Sequence, residues 1–220
     1  MRSKIFILDK PSKFSDPLVS QEAEYCLPIL PAYAIEYAEL KVPPNLDGVG
    51  KTELLEGREF TISGDKVIWP GYRAPLLGRP AAVTLIIHCH GIRSYERLFP
   101  SVRGDDRARR LGQFYEEADK TFEEGAWLSF LLMCGAVFEG LLFDRLDEDL
   151  SFSRLARKAL DEGTVSEKEY NAMDRVRNLR NAVHLSRISK VYATREEAMD
   201  TRKILDDMIV RFSYGVTNGK

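Results

Sequence analysis

Proline is confined to one half of this 220-residue chain: all ten prolines fall before residue 101, and none occurs from Asp105 onward. Proline fixes φ, lacks an amide hydrogen and clashes with the preceding helical turn, so it punctuates strands and loops and interrupts helices. A chain sorted in this way predicts two regions in succession. Residues 1–104 should be a β-rich domain of unknown type, and residues 105–216 a helical bundle, giving an α+β protein.

The first region carries short runs rich in Val, Ile, Thr and aromatic residues. Residues 4–8, 59–63, 66–69 and 82–89 read as strands. Ser63-Gly64-Asp65-Lys66 between two of them has the spelling of a hairpin turn. Residues 32–40 suggest a helix.

In the second region the hydrophobic period becomes helical. Residues 107–124 place Leu111, Phe114, Tyr115, Ala118 and Phe122 on one side. Residues 125–146 are apolar nearly all round, as a central bundle helix would be. A short helix over 151–162 ends before Gly163. Ser166 with Glu169, and Thr194 with Glu197, both spell a capping box, in which each end of the pair satisfies an orphan amide of the other. They mark the starts of a fourth helix and of a last one reaching about Tyr214. Five helices with short links predict an antiparallel bundle.

Composition excludes several classes. The net charge of −2 gives no overall basic excess, so a nucleic acid would need a local patch. Cys26, Cys89 and Cys134 are scattered and odd in number, which argues against a disulfide framework or zinc ribbon and for a reducing cytoplasm. Residues 1–8 are too brief an apolar stretch for a signal sequence. The apolar run 126–138 is shorter than the ~20 residues that span a bilayer. A soluble protein without a membrane partner is expected.

The fourth helix carries the chemistry. Ala172, Val176, Leu179 and Val183 share a stripe that should face the core. Arg177, Arg180, Asn181 and His184 share an adjoining arc of about 100°, and the pairs Arg177/Asn181 and Arg180/His184 are each four apart, close enough to meet. Guanidinium groups grip phosphate oxygens in pairs and offset charge building up at phosphorus. A histidine titrating near neutrality can move the proton of an attacking or leaving hydroxyl. No acidic or Cys/His ligand set accompanies them, so the expected chemistry uses no metal and no cofactor. The same residues also suit plain structure, since basic groups near a helix C-terminus complement its dipole and His184 could cap the helix end.

With these residues in view, about 105–214 resembles the HEPN superfamily of helical bundles. Glu123-Glu124-Gly125-Ala126-Trp127 running into Cys134-Gly135-Ala136-Val137-Phe138-Glu139-Gly140-Leu141-Leu142 looks like that family's helix of small residues ending in Glu-x-Leu-Leu. Residues 177–184 look like its Arg-polar…His signature, and 194–212 like its closing helix. The resemblance implies a homodimer through the helical domain whose signature helices face each other, forming a metal-independent endoribonuclease site. The RNA 2′-hydroxyl would attack the neighbouring phosphate, with Arg177 and Arg180 holding it, Asn181 orienting them and His184 as acid or base. Many such proteins are toxins or antiviral defence effectors with an antitoxin or companion protein, and others are non-catalytic dimerisation or adaptor modules. Six residues stand between Arg177 and His184, at the edge of the family's spacing, with polar Asn178 directly after the arginine; Arg180 lies closer than the family's spacing. Either Arg177 is the working residue, or the cluster is structural and Glu139 pins Arg180 to a second helix.

Two other signals are weaker. Gly48-Val49-Gly50-Lys51-Thr52 resembles part of a phosphate loop, but Asn45 stands where its first glycine belongs and Pro43-Pro44 replaces the preceding strand. His88 and His90 fall on one face of a strand with Cys89 on the other, which offers a metal two nitrogens and no obvious third ligand.

Overall fold

The computed structural model of the chain describes residues 1–8, 11–14, 22–41, 54–56, 60–70, 83–182 and 193–214. The fold is α+β, antiparallel sheets followed by five helices. The chain divides into two compact units between Ser94 and Tyr95. Residues 95–104, expected with the strands, therefore belong with the helices.

Among the described residues the strand unit holds two four-stranded antiparallel sheets. One contains β1 (Arg2–Leu8), β8 (Val83–Ile92), β4 (Tyr33–Lys41) and β5 (Leu54–Glu56), in that spatial order. The other contains β2 (Lys13–Phe14), β3 (Glu22–Cys26), β7 (Lys66–Pro70) and β6 (Thr61–Ser63). Alternation sorts the side chains. On β1, Phe6 and Leu8 are 4% and 3% exposed, whereas Ile5 and Ile7 are 66% and 65% exposed. Val83, Leu85, Ile87 and Cys89 of β8 are buried in the same sense. The β6–β7 link turns at Gly64, whose φ of +61° at the first central position suits a II′ hairpin.

One expectation is corrected. Of residues 32–40, read as a helix, Ala32 ends a 3-10 turn and the rest lie in β4, which pairs with β8 on one side and β5 on the other. Tyr-Ala-Ile-Glu-Tyr-Ala-Glu-Leu-Lys is rich in helix formers, but two neighbouring strands decide its state, and local propensity yields to pairing partners.

The helical unit contains α1 (Asp105–Glu123), α2 (Trp127–Leu146), α3 (Phe152–Asp161), α4 (Glu167–Ala182) and α5 (Arg195–Tyr214). Both capping boxes are formed. The Glu169 amide donates to Ser166 Oγ at 3.3 Å, and the Ser166 amide donates to Glu169 Oε2 at 2.6 Å. Thr194 and Glu197 exchange the equivalent pair at 3.0 and 3.2 Å. Arg211 of α5 ties the entry to α4 down, donating to the Thr164 carbonyl at 2.8 Å and to Glu169 at 2.7 Å.

Helix α2 packs against α1, α3, α4 and α5. It runs longer than the apolar stretch 126–138 on which the membrane argument rested. By length and composition it could cross a membrane, with a mean hydropathy of 1.6. Phe130, Leu131, Cys134, Val137, Phe138, Leu141 and Leu142 are nevertheless buried in the bundle. The close fit rests partly on Gly135, where a Cβ would lie 2.8 Å from Val176 Cγ1 of α4.

Candidate functional site on the fourth helix

Helix α4 is continuous through Arg177 and Arg180, and its apolar stripe faces the core: Ala172, Met173, Val176 and Leu179 are all buried. Val183 and His184 lie outside the described residues, as does the Gly48–Thr52 stretch. Of Asn181, the backbone is described, within α4.

The two guanidiniums turn to different neighbours. Arg177 donates from Nη2 to Asp174 Oδ1 at 2.6 Å and to Asn178 Oδ1 at 3.3 Å. Asn178 in turn donates to Asp174 Oδ2 at 3.1 Å, so Asp174 clamps both side chains one turn below. The Nε of Arg177 is buried without a hydrogen-bond partner among the described residues. Beside it is a depression lined by Phe152, Tyr170 and Met173, of only about 10 Å³, room for about one water. Arg177 is itself part of that lining.

Arg180 reaches across to α2, where its Nη1 lies 3.4 Å from Glu139 Oε2. Arg180 is 66% exposed and Glu139 36%, so the pair sits at the surface and is long. An exposed ion pair of this kind is worth about 0–1 kcal/mol. Opening it would therefore cost the fold little.

Sequence spacing marked Arg177, Asn178, Arg180 and Glu139, but it missed Asp174, which is the strongest partner of Arg177. An acidic residue three positions before an arginine was the available signal. A roomier depression of about 180 Å³ lies between Ser101, Arg103, Arg145 and Phe212, and it shares no residue with the α4 cluster.

The two strand histidines take separate carboxylates. His88 Nε2 lies 3.1 Å from Glu39 and His90 Nε2 lies 3.5 Å from Glu36. Among the described residues no group of three His, Cys, Asp or Glu is placed to hold a metal ion. The three cysteines are free. Burial, with the Asp206 carboxylate adding to it, pushes the Cys134 thiol well above its ordinary range, so it is unreactive.

The chain was compared with protein-family models, curated proteins and solved structures, and none of them matches it.

Proposed function

We propose that the helical unit is a metal-independent endoribonuclease of HEPN type, acting as a homodimer, in a toxin or antiviral defence setting in the cytoplasm. The observation that carries this reading is Arg180: a guanidinium on the last turn of α4, two-thirds exposed, held among the described residues by a long surface pair to Glu139. RNA phosphate competes well for such a group, because a bidentate charge-assisted contact outweighs a loose carboxylate. His184 follows four positions on and would move the proton of the 2′-hydroxyl. Arg177, whose spacing to His184 is the one at the edge of the family's range, would hold the phosphate together with Arg180 in exchange for its Asp174 clamp, and Asn181 would orient them or contact the scissile phosphate. An antitoxin or companion protein would keep such an activity in check.

A second reading has its own support. Both guanidiniums already have carboxylate partners, Asp174 and Glu139, and a network paired in this way also suits a non-catalytic dimerisation or adaptor module.

The deciding experiment incubates the full chain and a His184→Ala variant with labelled RNA in the presence of a chelator, alongside a cell-growth assay. Chelator-resistant cleavage that disappears in the variant supports the nuclease. An intact RNA with no growth effect from either protein leaves the adaptor reading in its place.

A further inference from the structure

The strand unit holds a second constellation that owes nothing to the nuclease reading. The register of β1 and β8 sets Ser3 opposite His88, and β4 sets Tyr37 opposite His88 from the other side. Ser3 Oγ lies 3.0 Å from His88 Nδ1, and His88 Nε2 lies 3.1 Å from Glu39 Oε1. A carboxylate can only accept, so Nε2 carries the proton and donates to Glu39. In the neutral imidazole Nδ1 is then the basic nitrogen, and the Ser3 hydroxyl donates to it. Hydroxyl, base and orienting carboxylate in series is the arrangement that activates a serine, here with the roles of the two ring nitrogens exchanged.

The surroundings add two features. Tyr37 stacks on the His88 ring at 4.1 Å with planes 14° apart, which keeps the imidazole from turning away. His88 is 15% exposed, whereas Ser3 is open to solvent, so the base is sheltered and the nucleophile reachable. From Ser3 the same face of β1 continues through Ile5 and Ile7, both about two-thirds exposed, with Ile86 of β8 opposite Ile5. That apolar track begins where an acyl group attached to Ser3 would start. A histidine that merely satisfies its hydrogen bonds on a sheet needs no such track.

We propose that Ser3, His88 and Glu39 form an esterase centre for acyl esters with a short apolar acyl chain, which lies along Ile5 and Ile7. Ser3 Oγ bonds to the carbonyl carbon as its proton passes to His88 Nδ1. The carbon–oxygen bond to the alcohol then breaks, and His88 returns the proton to the departing oxygen. Water repeats the sequence on the acyl-serine, releasing the acid and restoring Ser3. Ser3 and His88 are the catalytic residues; Glu39 positions the imidazole.

The full chain is treated with a fluorophosphonate probe, the label is mapped by mass spectrometry, and hydrolysis of p-nitrophenyl butyrate is followed. Label on Ser3, absent from Ser3→Ala, is the expected result, with hydrolysis roughly 100-fold lower in His88→Ala. Glu39→Gln should lower kcat and leave KM, and Ile5→Ser with Ile7→Ser should raise KM for butyrate. Circular dichroism checks each variant, and Ser3→Cys, which retains a nucleophile of similar size, should still take up the acyl group. Absence of label from Ser3 in the folded wild type, or hydrolysis unchanged in folded Ser3→Ala or, should that variant not fold, Ser3→Cys that takes up no acyl group, overturns the proposal.

Discussion

The interior of the helical bundle and the last turn of α4 each hold an arginine paired with a carboxylate, under opposite conditions. Arg202 of α5 is 16% exposed, donates to Asp119 Oδ1 at 2.5 Å and lies 4.4 Å over the Phe122 ring. Asp119, itself 6% exposed, also accepts from the Tyr95 hydroxyl at 2.9 Å, and nearby the Tyr115 hydroxyl donates to Asp206. Burial works against the Arg202 charge, but Tyr115, Asp206 and Asp119 more than offset it and hold the group firmly protonated. Arg180, by contrast, is 66% exposed and among the described residues has one distant partner. The lesson is about division of labour. A charge sealed among partners is committed to the fold, because removing either member strands the other in low dielectric. A charge at the rim is spare, and spare charges are where ligands compete.

The largest effect expected from this contrast is at Arg202. Replacing it with Ala should cost about 3–5 kcal/mol by stranding Asp119, read as the shift of a urea unfolding midpoint. Loss of less than about 1 kcal/mol would place Arg202 on the rim side of the comparison. Tyr115→Phe removes a hydrogen bond to the Asp206 carboxylate with little change in packing, and should cost about 1.5–3 kcal/mol.

Asp207 tests an intermediate environment on the same helix as Arg202. Burial, opposed by Lys203 and reinforced by Asp206, raises its carboxyl above the ordinary range. The native state therefore binds that proton more tightly than the unfolded chain does. Its contribution to stability is present below the ordinary carboxylate range and is lost as pH rises through the folded value. Asp207→Asn should accordingly raise Tm at neutral pH, and the advantage should vanish in acid. A lower Tm for the variant at pH 7 would contradict this sign.

The smallest stability effect belongs to Arg180→Ala, within about 0.5 kcal/mol. The same variant should lose most RNA cleavage, if the nuclease reading holds. A variant that unfolds the protein would erase the distinction between the two regions.

Helices were more legible than strands, for a physical reason. The signals that place α3, α4 and α5, such as Ser166 with Glu169 and Thr194 with Glu197, are written within one turn of chain. What makes residues 33–41 a strand is written on β8 and β5, outside the segment itself. The same distance hid the polar networks. Arg202 meets Asp119 across 83 positions and Ser3 meets His88 across 85, and nothing local forecasts either register. On α4 the local part was readable, namely which side chains share an arc. For Arg180 the neighbour was readable too, Glu139 on α2, though the pair lies at the surface rather than buried; for Arg177 it was not, since the Asp174 clamp takes it.

Gly135 leaves one more consequence. Where the two rods of α2 and α4 touch there is a bare hydrogen, and even a single methyl there would press on Val176. The thickness of that contact sets how far α4 stands from α2, and so where its tip is aimed. An alanine at 135 would act as a shim, tilting the Arg180 end relative to Glu139 while leaving every residue of the cluster in place. Descendants of this sequence could thus retune the tip from a position outside the cluster itself.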